Sequence, residues 1–204
     1  MPRPRSLTHP QIAAAALDLI DREGLAALTM RAVAGRLGVG AMSLYRYVDD
    51  RHELEGLVID LVLGAVDVTP PPGTSWTGQV EELVGRMRAA LGAHPEVVPL
   101  TMTHRQSALG LLRWSESLLG VLTRAGFDGE RRVVALRSLL GYLNGAIQLE
   151  HLGPLSGAGT EAMAALPPAE FPFLAETAAR ARRVPADEEF RRGLAVVLAG
   201  LAGA

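Results

Sequence analysis

Helix punctuation constrains this chain more than any other feature. Four helix starts are written into the first fifty-four residues, each followed by its own stop or turn. Thr8 and Gln11 have the spacing of a reciprocal capping box, and Leu7 and Ile12 that of a hydrophobic staple. They predict a helix over 7–24, with Ile12, Ala16, Leu19 and Ile20 on its apolar face and Gly24 as its stop. Thr29 starts a second helix, stapled by Leu28 and Val33, and Gly38 stands where a left-handed cap residue belongs. Gly40 opens a third over Ala41–Tyr47, with Val39 and Leu44 as the staple pair. Asp50 and Glu53 repeat the box and start a fourth, running to about Ala65 with Leu54, Leu57, Val58 and Leu61 inward.

The remainder reads the same way. Thr69–Ser75 (TPPPGTS) is the strongest break and marks a domain boundary. Beyond it, Trp76, Val80, Leu83, Val84, Met87 and Leu91 step at helical spacing until His94-Pro95. A short irregular or helical segment covers Glu96–His104. The next helix carries Leu111, Leu112, Ser115, Leu118, Leu119 and Leu122 and stops at Gly126. Val133, Leu136, Leu140, Leu143 and Ile147 alternate three and four apart, as a bundle seam does. Gly153–Pro168 reads as a mobile Gly/Pro segment, Pro172–Arg183 as a weaker helix. A last helix starting at Pro185–Asp187 has Phe190, Leu194, Val197 and Leu201 on one side. No strand alternation and no repeat is visible. Hydrophobic residues make up 49% and aromatics only 4%, so the core must be mostly Leu, Ala and Val, a helix-favouring set. The expected fold class is all-α.

Two absences narrow the chemistry. Without cysteine there is no disulfide, thiolate nucleophile or Cys-based zinc site. All twenty basic residues are arginine, which excludes a Walker phosphate loop and a Schiff-base lysine. Basic Met1–Arg5 before apolar Ile12–Leu17 imitates a signal peptide, but Asp18, Asp21 and Glu23 interrupt it too early. The apolar tail Leu194–Ala204 is shorter than the roughly 20 residues of a membrane span. The expectation is a cytoplasmic protein with no membrane partner.

Two short helices joined through Leu37-Gly38-Val39-Gly40 follow helix-turn-helix arithmetic. The second of them would project Ala41, Met42, Ser43, Arg46 and Tyr47, with Tyr45 beside them. Arg46 suits a bidentate contact to guanine, and Ala41 or Met42 suits a thymine methyl. The Tyr hydroxyls, Arg31 and Arg51 suit phosphates. Residues 1–52 hold seven Arg against five acids, whereas the whole chain nets −2. The bland alternative is a small helical subdomain with a solvated Arg/Tyr face.

The stretch Leu28–Leu54, LTMRAVAGRLGVGAMSLYRYVDDRHEL, resembles the DNA-binding domain of the TetR family of transcriptional regulators. The resemblance extends back through Leu7-Thr8 and Ile12–Ala15. Leu44–Val48 is most similar to the tetracycline-repressor branch, which Gly126-Phe127 and Leu149-Glu150 resemble more weakly. It implies a dimeric repressor whose C-terminal helical domain holds an effector pocket, with ligand binding moving the fourth helix. It also implies operator contacts from Met30, Arg31, Ala41, Met42, Ser43, Tyr45, Arg46, Tyr47 and Arg51. That branch binds a magnesium-chelated drug through His, Thr and Glu. A gapless match from Gly126-Phe127 instead places Met102, Arg105 and Leu149 there.

Other constellations are weaker. Gly157–Ala162 fits a loose dinucleotide-binding pattern but follows no strand. His94, His104, Glu150 and His151 form a scattered metal-type set; no metal site and no cofactor is expected. Thr101, Thr103, His104, Trp114, Asn144 and Gln148 are the effector-binding candidates. Asn144 and Gln148 serve equally well as rim residues of a helix seam. No acid pair, triad or metal motif points to an enzyme. The reading is therefore a helix-turn-helix DNA-binding domain over 1–52 with a connecting helix over 51–67, then a helical effector-binding and dimerisation domain over 68–204. Its partners are double-stranded palindromic operator DNA, an apolar or amphipathic small molecule, and a second copy. The homodimer would be joined through Val133, Leu136, Leu140, Leu143, Ile147, Phe190, Leu194, Val197 and Leu201. The alternative is a helical small-molecule- or partner-binding protein that does not read DNA.

Overall fold

The computed structural model describes residues 7–203; the basic Met1–Arg5 segment lies outside them. The described residues form helices and no strand. The chain divides into two compact units, Met1–Thr69 with Arg86–Ser117, and Pro70–Gly85 with Leu118–Ala204. No helix among the described residues is long and apolar enough to cross a membrane.

In the first unit, α1 (His9–Glu23) begins at Thr8, whose hydroxyl accepts from Gln11 N while Gln11 Oε1 accepts from Thr8 N, the expected capping box. Helix α2 (Met30–Arg36) is capped by Thr29, and α3 (Ala41–Leu44) follows Gly40. Helix α4 (Arg51–Gly64) is capped by Asp50, which accepts from Glu53 N. Here the box is displaced by one residue, since Glu53 Oε2 accepts from Asp49 N rather than Asp50 N. Ile12, Ala16, Leu19 and Ile20 of α1 meet Leu28, Val33, Leu44, Leu54 and Val58 in the core. On α4 the inward face differs from expectation. Leu61 is exposed and Leu57 half-buried, while Ile59, Val62 and Leu63 are buried. The physical reason is that α4 packs against α1 on one side and α6 (Val98–Thr103) on another, so its buried arc is wider than one stripe.

Helix α7 (Leu109–Arg124) begins against α4. Leu109 N donates to Asp60 Oδ1 at 3.1 Å. A Cβ on Gly110 would lie 2.9 Å from the Leu63 carbonyl, so only glycine permits this approach. Arg86, on α5 (Trp76–Gly92), donates to the Asp67 and Thr69 carbonyls at 3.0 and 2.9 Å, fixing the chain that leaves α4.

In the second unit, the 24-residue α8 (Gly129–Leu152) packs against α11 (Ala186–Gly203). Tyr142 Oη donates to the Phe190 carbonyl at 2.6 Å, and Arg131 Nη2 caps α11 by donating to the Leu201 carbonyl at 3.1 Å. The Trp76 and Phe127 rings meet edge to face at 5.2 Å. The segment read as mobile contains a helix, α9 (Ala158–Ala164), which packs on α10 (Pro172–Ala181). Thr160 is buried there and donates to the Pro154 carbonyl, so Gly and Pro bound that helix instead of dissolving it.

Asp18 of α1 is held below the ordinary carboxylate range, first by the hydrogen bond from Arg22 and further by the charges of Arg22 and Arg36. Its ionised form is the one that folding favours. The stability it contributes is therefore present above about pH 4 and is lost as the pH falls through the lowered value. Asp18→Asn should melt below the parent at neutral pH, with the gap closing on acidification in a pH series of thermal melts.

Candidate nucleic-acid interface

The turn between α2 and α3 is built from local bonds. Gly38 has φ 67°, in the left-handed region that glycine enters without strain. Val39 N then donates to the Ala34 carbonyl at 3.0 Å, and Val39 is half-buried beneath the turn. Ser43 N donates to the Gly40 carbonyl and Tyr45 N to that of Ala41, closing α3. Leu44 at 0% exposure and Val48 at 1% hold α3 down. Its other face is outward: Met42 is 79% exposed, Tyr45 47%, and Ser43 and Arg46 are exposed. Tyr47 and Ala41 are half-buried. The Tyr47 carbonyl accepts from His9 Nε2 at 3.0 Å, which ties the end of this segment to α1. Met30 departs from expectation. It is 7% exposed, at the first turn of α2, and packs the core rather than presenting a contact.

Ion pairing sorts the arginines. Arg22 bonds Asp18 at 2.7 Å, and Arg36 bridges Asp18 and Glu23. Arg51 donates through Nε to Glu55 at 2.8 Å and through Nη2 to the Leu25 carbonyl at 3.3 Å. Arg31 and Arg46 are exposed and have no ion-pair partner among the described residues. A surface cation without an internal carboxylate leaves its donors for an external anion or base edge.

Residues 12–54 match the family model for bacterial regulatory proteins of the tetR family. Residues 69–204 match that for the tetracyclin repressor-like C-terminal domain. The chain belongs to the TetR family. An HTH-type transcriptional regulator of Saccharopolyspora erythraea is 31% identical over 144 residues, 71% of this chain. The HTH-type transcriptional repressor DrrR1 of Streptomyces coeruleorubidus is 31% identical over 146 residues, again 71% of this chain. The matches cover 61% and 54% of those two proteins' lengths, so the chain spans little more than half of each. The TetR family protein ActR of Streptomyces coelicolor, in complex with actinorhodin, superposes with a TM-score of 0.80 at 30% identity, covering 98% of both chains.

The effector candidates of this TetR-family chain are drawn from both units. Thr101, Thr103, His104 and Trp114 belong to the first unit, Asn144 and Gln148 to the second. Thr101 is buried and its hydroxyl is spent on the Val98 carbonyl at 2.7 Å. Thr103 is exposed and Trp114 fully buried. Asn144 and Gln148 are half-buried on α8. A cleft of about 250 Å³ opens between α8 and α11, lined by Gly141, Tyr142, Gly145, Leu149, Phe190 and Gly193 among others. Sequence reasoning missed it because three of its lining residues are glycines, which carry no side-chain signal.

The predicted dimer stripes also resolve unevenly. Leu143, Ile147, Phe190, Leu194 and Leu201 are buried within the chain, in line with Ala135, Leu139 and Leu198, and α8 packs on α11. Leu136, Leu140 and Val197 are half-buried. Val133 is 58% exposed, and the other large apolar residues of the pair that are exposed are Val134, Leu149, Leu152 and Val196. The inward run on α8 steps by four throughout, whereas the sequence reading mixed threes and fours. Of the scattered set, His94 pairs with Asp21 at 2.8 Å and His104 with Glu55 at 3.3 Å.

Proposed function

We infer that this TetR-family protein binds a palindromic DNA operator as a homodimer and is released from it by an apolar or amphipathic small molecule. One observation carries the DNA reading: Arg46 is exposed on the projecting segment, beside Met42, Ser43 and Tyr45, with no carboxylate neutralising it among the described residues. A helical partner-binding protein with no DNA function would have no need to keep this face apolar, aromatic and cationic at once. In the proposed division of labour, residues 1–52 read the operator, the connecting helix over 51–67 links, and 68–204 bind the effector and the second copy. The outward Val133, Val134, Leu149, Leu152 and Val196 support the dimer, since exposed apolar side chains on two neighbouring helices favour an isologous bundle. Two such heads would stand ~34–36 Å apart, one turn of DNA. The ActR complex with actinorhodin supports the small-molecule arm.

Fluorescence anisotropy on an operator selected from random DNA tests the reading. Arg46→Ala should cost about 1–3 kcal/mol and relax sequence preference at one position. Arg31→Ala should weaken all sequences alike and reduce the salt slope by about one. An Arg46→Ala protein with unchanged affinity and unchanged preference would overturn the assignment and leave the partner-binding alternative. Sedimentation of the parent as a monomer at micromolar concentration would remove the dimer.

A further inference from the structure

The geometry points to a divalent transition-metal site formed by His52, Glu55 and His104. His52 and Glu55 stand three apart on α4 and so share a face; His104 follows α6 and is 2% exposed. One ligand atom from each of the three lies within 4.8 Å of the others. The two imidazoles stack with centroids 4.3 Å apart and planes 21° apart.

The closest pair is the informative one. His104 Nε2 and Glu55 Oε2 are 3.3 Å apart. That is long for a charge-assisted hydrogen bond, which is about 2.7–2.9 Å. It is the spacing of two donors on one tetrahedral ion, because bonds of about 2.0–2.1 Å place their ends about 3.3–3.4 Å apart. An imidazole binds an ion through a nitrogen that carries no proton, so His104 Nε2 would meet the ion deprotonated. The Glu55 carboxylate is already oriented, since its other oxygen accepts from Arg51 Nε at 2.8 Å, the kind of outer contact that fixes a ligating carboxylate. His52 is exposed and offers an entry path, while His104 and the 12% exposed Glu55 side chain form the enclosed side. Two imidazoles and a carboxylate, without thiolate, suit Zn²⁺ or Co²⁺, and three protein ligands leave a fourth position open.

The site is tested on the full chain without added histidines, stripped with EDTA and titrated with Co²⁺. A visible ligand-field absorption saturating at one ion per chain, and abolished by Zn²⁺, is expected. His52→Ala changes an exposed side chain, so circular dichroism should show the fold intact while the Co²⁺ affinity falls by at least ~10–100-fold. Glu55→Gln should weaken binding to a similar degree. A parent protein that gives no Co²⁺ absorption and takes up no Zn²⁺ in equilibrium dialysis would overturn the site. Binding that survives unchanged in both variants would do the same, by placing the ion elsewhere.

Discussion

Replacing Trp114 by alanine should lower the unfolding free energy by about 3–5 kcal/mol, as emptying a packed indole site does. Trp114 is 0% exposed and is the largest buried side chain of the chain's described residues. The neighbouring backbone belongs to α7 and cannot collapse into the space without disturbing the helix. Urea unfolding followed by circular dichroism, at one fixed protein concentration, measures the loss. A loss below about 1 kcal/mol would mean that the indole borders open space instead, as an effector-lining residue would.

Leu44→Ala is the second large effect, about 2–5 kcal/mol. Leu44 is the one buried residue of α3, a helix of four residues. So short a helix has no independent stability, and the packing of that side chain sets where Met42, Ser43 and Arg46 point. The variant should lose operator affinity out of proportion to any change in its surface charge, which is none. Anisotropy below the variant's melting temperature separates this from simple unfolding. Unchanged affinity in the folded variant would show that Val48 and the turn position the segment alone.

The parts of the fold readable from sequence are those fixed by neighbours in the chain. Thr8 with Gln11, Thr29 and Gly38 act within four residues, so their roles follow from type and spacing. The inward face of α4 was harder, because Ile59, Val62 and Leu63 are buried by elements distant in sequence. Helix α9 was hidden by its composition, since the same Gly and Pro residues that end a helix also occur in loops. Only period marks the nine dimer candidates, and period does not say whether a stripe meets its own chain or another. In the interface, Arg46 and Tyr45 were legible as outward residues, whereas the burial of Met30 follows from tertiary packing. His52 and Glu55 stand three apart on one helix but carry no recognised motif, and His104 lies 49 residues beyond Glu55, so only folding brings the three together.

The closeness of Gly110 to Leu63 makes α4 a lever with its fulcrum at one end. The Asp60 and Leu63 end is clamped to α7 by a hydrogen bond and a contact that admits no Cβ. Arg51 stands at the other end. Between Leu63 and Arg51 the helix rises about 18 Å, so a tilt of about 5° at the clamp carries the far end about 1.6 Å. That is about half a hydrogen-bond length, enough to break the 3.3 Å bond from Arg51 Nη2 to the Leu25 carbonyl while the clamp itself barely moves.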